Sequence, residues 1–80
     1  MTMNEAQETN LNDQRRAMAA LFKEREAIGL PFRDWEDRSG ISSNSAYAWR
    51  YGKRAPMLCN IVALAETLGF ELIMRKKEKQ

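Results

Sequence analysis

Residues 29–52 read GLPFRDWEDRSGISSNSAYAWRYG, and the punctuation of this stretch decides the fold. Gly29-Leu30 precedes a short helix from Pro31 to Ser39, Gly40-Ile41 makes a turn, and a second helix runs from Ser42 to Tyr51 before Gly52 stops it. Pro31 suits a first helical turn, where its missing N–H has no partner to lose. Gly40 permits the tight turn through a positive φ, and Ser42 or Ser43 caps the helix that follows. Trp35 is the apolar anchor of the first helix, while Ala46 and Trp49 face inward from the second. The solvent face of the second helix then carries Ser43, Asn44, Tyr47 and Ala48. These groups are small or polar enough to lie against base edges.

Outward from this unit, Asn12 or Asp13 can cap a first helix that runs to about Ile28. Its apolar positions are Met18, Leu21, Phe22, the stem of Arg25, and Ile28, and Gly29 ends it. Downstream, Lys53-Arg54-Ala55-Pro56 forms a basic loop, and Pro56 can open a further helix. Leu58, Ile61, Leu64, Ala65 and Leu68 give that helix a continuous stripe until Gly69. From Phe70 to Arg75 the period changes to alternation, a strand signal. A lone strand on a helical domain has no partner in its own chain, so it is expected to pair with a second copy or another protein. Residues 1–10 read as a flexible arm, 11–69 as the folded domain, 70–75 as a dimerisation strand and 76–80 as a basic tail.

Charge narrows the function classes. No acidic residue occurs between Arg38 and Ala65, and Arg38, Arg50, Lys53 and Arg54 fall inside that window. The net charge of +2 is small, but residues 1–13 carry −3, which leaves +5 on the rest. Segregation of this kind suggests one basic face and a polyanionic partner. Eighty residues with 44% hydrophobic content allow one domain with a small core. Cys59 is the only cysteine and histidine is absent, which argues against a disulfide, a metal site or a cofactor. With no histidine base, no nucleophile–base pairing and no phosphate-cradling glycine loop, the chain does not read as an enzyme. No apolar run is long enough to span a membrane and the N-terminus is acidic, so a soluble, cytoplasmic protein is expected.

Gly29-Leu30, Trp35, Gly40-Ile41, Ser42-Ser43-Asn44-Ser45, Trp49, Gly52 and Lys53-Arg54-Ala55-Pro56 fall at the spacing of one known pattern without a gap. The stretch from Gly29 to Leu72 thus resembles the Cro/C1-type, or XRE-like, helix-turn-helix family of phage repressors and antitoxins. The chain departs from that pattern at three places. Glu36 replaces a small residue where the two helices touch, Arg50 replaces a frequent glutamate, and Phe32 replaces a glutamine that contacts phosphate. Glu36 is expected to turn sideways toward an arginine.

The resemblance implies an all-α, lambda-repressor-like DNA-binding domain of four to five helices with a short C-terminal strand or extension. It implies that Ser43, Asn44, Tyr47 and Ala48 face the bases of double-stranded DNA. Ser42, Ser45, Arg50, Tyr51, Lys53 and Arg54 would hold phosphates. The expected function is a transcriptional regulator, a repressor by the family's commoner habit. It would bind a palindromic operator as a homodimer through Phe70, Leu72 and Met74. Two alternatives stand beside it: an antitoxin with a toxin partner, and a protein-interaction module on the same scaffold. Plainer readings of the same residues also exist. The serines could be only a cap, Tyr47 and Tyr51 could be rim packing, and Lys53-Arg54 could be ordinary loop charge.

Overall fold

The computed structural model describes residues 8–77 and is all-helical there, with no strand among the described residues. Four helices follow in order: α1 Gln14–Ala27, α2 Phe32–Ser39, α3 Ser43–Arg50 and α4 Leu58–Glu66. The expected arm lies largely outside the described residues, as does the end of the basic tail; Lys76 and Lys77 are exposed.

Capping sets the starts of α1 and α3. The Asp13 carboxylate accepts the Arg16 N–H at 3.1 Å, and the Ser42 hydroxyl accepts the Ser45 N–H at 3.2 Å. Each satisfies a donor that the first turn leaves without a partner. Pro31 sits one position earlier than expected, as the N-cap of α2. The turn after α2 uses Gly40 at φ +77°, with its N–H bonded to the Glu36 carbonyl at 2.8 Å. A side chain there would be strained by its own backbone, which is why glycine closes this helix.

The core lies among the four helices, with α1 and α2 each packed against α3 and α4. Met18 and Leu21 come from α1, Trp35 from α2, Ala46 and Trp49 from α3, and Leu64, Ala65 and Leu68 from the α4 region. Both tryptophans are therefore core residues, as their spacing implied. Trp35 is 2% exposed, so its indole N–H needs a buried acceptor. Thr67 Oγ1 provides one at 2.8 Å, with the Leu64 carbonyl at 3.3 Å, and the Thr67 hydroxyl itself donates to that carbonyl at 2.7 Å. This small network ties α2 to the end of α4.

Two apolar positions face water, contrary to the periodic reading. Leu58 is 63% exposed because α4 begins there, and the helix meets the core only from Ile61 onward. Ile28 is 52% exposed because it is the C-cap of α1, where the chain leaves the helix, and Leu30 takes the buried place.

The expected dimerisation strand is also different. The Phe70 N–H bonds back to the Ala65 carbonyl at 3.0 Å, which closes the end of α4 at Gly69 and turns the chain out of the helix. Phe70 and Leu72 pack half-buried against the core of the same molecule, while Ile73 and Met74 point to solvent. The alternation holds for Phe70 and Leu72 but fails at Met74, and the surface that the first two cover belongs to the same chain.

Candidate nucleic-acid interface

The α2–Gly40–α3 unit occupies the residues that the sequence assigned to it. Along the outer face of α3, Asn44 is exposed, Tyr47 is 41% exposed and Ala48 is half-buried. Ser43 departs from this set. Both its backbone N–H, at 2.6 Å, and its hydroxyl donate to one carboxylate oxygen of Glu36. Glu36 thus turns toward α3 rather than toward an arginine. The two serine bonds hold its carboxyl below the ordinary value, the hydroxyl bond more strongly than the backbone bond, against a smaller opposing effect of burial. A carboxylate at a helix N-terminus is also favoured by the helix dipole.

This has two effects on the candidate site. The hydroxyl proton of Ser43, expected to face the bases, is instead given to Glu36 within the protein. The window from Arg38 to Ala65 is free of acids in sequence but not in space, since Glu36 reaches into it. Asn44 is the first side chain of α3 with an uncommitted polar end. Its amide can pair with adenine through two bonds.

The serines flanking this lock differ in capacity. The Ser42 hydroxyl accepts the Ser45 N–H and donates to the Ser45 hydroxyl, both at 3.2 Å. The proton of Ser45 has no acceptor among the described residues, whereas that of Ser42 is used.

Tyr47 and Tyr51 belong to a ribbon of rings. Arg25 lies 3.9 Å over Phe32, whose ring centroid is 5.3 Å from that of Tyr47. Tyr47 in turn lies parallel to Tyr51 at 6.2 Å, and Arg50 sits 4.9 Å over Tyr51. Phe22 meets Tyr47 edge-on at 5.4 Å from beneath. Both tyrosines therefore pack and remain accessible, so the two readings of them are not exclusive. Phe32, one of the three departures from the resembled pattern, carries an arginine on its face. Arg25 also donates to the Leu30 carbonyl at 2.6 Å, while its buried Nε has no partner among the described residues.

At the other end of α3, Gly52 has φ +76° and its N–H bonds to the Trp49 carbonyl at 3.3 Å. The Ala48 carbonyl accepts the Lys53 N–H at 2.8 Å and the Arg54 N–H at 3.4 Å. This closure fixes the backbone from which two exposed cations project. The Arg15 side chain from α1 crosses over Gly52, so close that a Cβ there would stand 2.8 Å from Arg15 Nε. Arg15, Lys53 and Arg54 line a groove floored by Trp49 and Pro56. The one ion pair among the described residues is elsewhere, between Arg75 and Glu8 at 4.0 Å. Sequence reading did not single out Arg15. Nothing in the local pattern marks it, because the residues across the groove from it, Trp49 to Pro56, are 34 to 41 positions away.

Of the residues expected at a dimer contact, Phe70 and Leu72 are occupied within the chain, and Met74 alone is fully exposed. Among the described residues no group of histidine, cysteine and carboxylate side chains could hold a metal ion, and no helix is long and apolar enough to cross a membrane. No protein-family model matches the chain, and no curated protein or solved structure is significantly similar to it.

Proposed function

We propose that this chain is a sequence-specific DNA-binding regulator of the lambda-repressor-like helix-turn-helix type, in which α3 lies in the major groove. One observation carries the reading. The exposed edge of α3 presents Asn44, Tyr47 and Ala48, and the helix ends in an ordered turn bearing Lys53 and Arg54 beside Arg50, with no carboxylate partner among the described residues. Side chains of the first kind read base edges and those of the second hold phosphates. In this reading Asn44 pairs with adenine, the Ala48 methyl meets a thymine methyl, and Ser45, Arg50, Tyr51, Lys53 and Arg54 fix the register.

A single α3 touches only a few base pairs, so discrimination calls for two copies on a palindromic operator, with half-sites about 34 Å apart. Repression by a homodimer is the form this function takes here. The exposed Met57 and Leu58, next to the basic loop, favour a second reading as a protein-interaction module.

Fluorescence anisotropy with DNA tiled across the region upstream of the gene, at low and near-physiological salt, separates the two. The regulator binds one tile at least a thousandfold tighter than random DNA. Uniform, weak binding that vanishes with salt overturns sequence reading and leaves the interaction module. On the bound tile, Asn44→Ala should remove preference at one base position, by about 1–3 kcal/mol. An equal loss on random DNA would remove Asn44 from the reading set.

A further inference from the structure

We infer that Arg15, from α1, joins Lys53 and Arg54 in a clamp for a phosphate group at the C-terminal end of α3. The inference rests on the DNA reading above and gives it a contact from a third helix; the phosphate is then one of the DNA backbone. Three observations converge on it. The first is steric: residue 52 is a glycine, and the Arg15 guanidinium occupies the space that any side chain there would need, with Nε 2.8 Å and Cζ 3.0 Å from a Cβ built on it. The second is order: Ala48 holds the Lys53 and Arg54 N–H groups at 2.8 and 3.4 Å, so both cations spring from a fixed turn. The third is electrostatic. Three cations share one groove, its floor includes the buried Trp49 and Pro56, and none is in an ion pair among the described residues.

The carbonyl end of α3 supplies only about half a negative charge, which does not balance three positive ones. Like charges gathered against apolar surface repel each other more strongly than in open water. A tetrahedral oxyanion relieves that repulsion. A guanidinium, with its planar fork of donors, is the side chain best matched to bind one through two oxygens.

The test uses the full chain and a fluorescein-labelled duplex of random sequence, so that it does not depend on an operator being found. Affinity is measured against salt for the wild type, Arg15→Ala, Arg15→Lys and, as a control on the same helix, Lys23→Ala. Circular dichroism confirms that each variant folds. Arg15→Ala should weaken binding several-fold at low salt and reduce the slope of log K against log salt by about 0.9, the loss of one phosphate contact. Arg15→Lys should restore the slope, and Lys23→Ala should leave it unchanged.

An Arg15→Ala slope equal to that of the wild type overturns the clamp while leaving DNA binding intact. If the wild type binds no duplex, the DNA reading falls, and inorganic phosphate titrated into the isotope-labelled chain decides the clamp alone. Saturable shifts of the Arg15 Nε–H and Gly52 amide signals, lost in Lys53→Ala, would support a site for free phosphate. Absence of those shifts would overturn it.

Discussion

Glu36 and Ser43 show how one side chain changes the meaning of its neighbours. By motif position, Glu36 is a misfit between two helices and Ser43 is a reader of bases; in space they satisfy each other. The bond depends on the charged form of Glu36, which fixes the sign of its pH effect. Its carboxyl is held lower in the folded chain than in the unfolded one. Its contribution is therefore complete above the unfolded value and is lost as pH falls through the lower folded value. Melting temperatures followed from neutral pH into the acid range should fall for the wild type. Glu36→Gln, which keeps the shape but not the charge, should start lower and lose less over the same range. A parallel fall in both proteins would show that other carboxylates govern acid stability and that the Glu36 bond contributes little.

At the scale of helices, the joint between α2 and α4 rests on Trp35. Its ring fills the core, and its N–H is met by Thr67 and Leu64. Trp35→Phe keeps an aromatic ring but removes the donor to Thr67 Oγ1 and leaves a small void. It should lower stability by about 1–3 kcal/mol in urea unfolding, with the slope m unchanged. A smaller effect, below about 0.5 kcal/mol, would mean that Thr67 finds water instead.

The helices themselves were legible because each is bounded by local signals: Asp13, Pro31, Ser42 and a glycine after every helix. Trp35, Ala46 and Trp49 were legible as core for the same reason, since periodicity is a property of one helix. Thr67 was not, because nothing near it in sequence demands a hydroxyl. Arg15 and Glu36 were missed or misjudged on similar grounds, as their partners lie on other helices. At Leu58 and Ile28 the periodic stripe was right in direction but ran past the edge of the core.

For the whole molecule, the open matter is what the C-terminal segment does. An 80-residue chain has a small core, so a half-buried phenylalanine laid across it is a sizeable part of its stability. Phe70→Ala should lower the melting temperature by several degrees, about 1–3 kcal/mol, and by the same amount at every protein concentration. A loss that grows on dilution would instead return Phe70 to an interface between copies. Truncation before Phe70 is accordingly expected to weaken the fold itself rather than merely separate subunits. Any dimer must then form through other surfaces than Phe70 and Leu72.

The Glu36 bond to Ser43 also sets the polarity of α3. An unadorned helix draws anions to its beginning and cations to its end. In this chain the beginning already holds a carboxylate, and the end is crowded with arginine and lysine. The attraction has been reversed along the axis. Phosphates brought near α3 would therefore be repelled by Glu36 and attracted by the cations around Gly52, the opposite of the pull that a bare helix exerts along its axis.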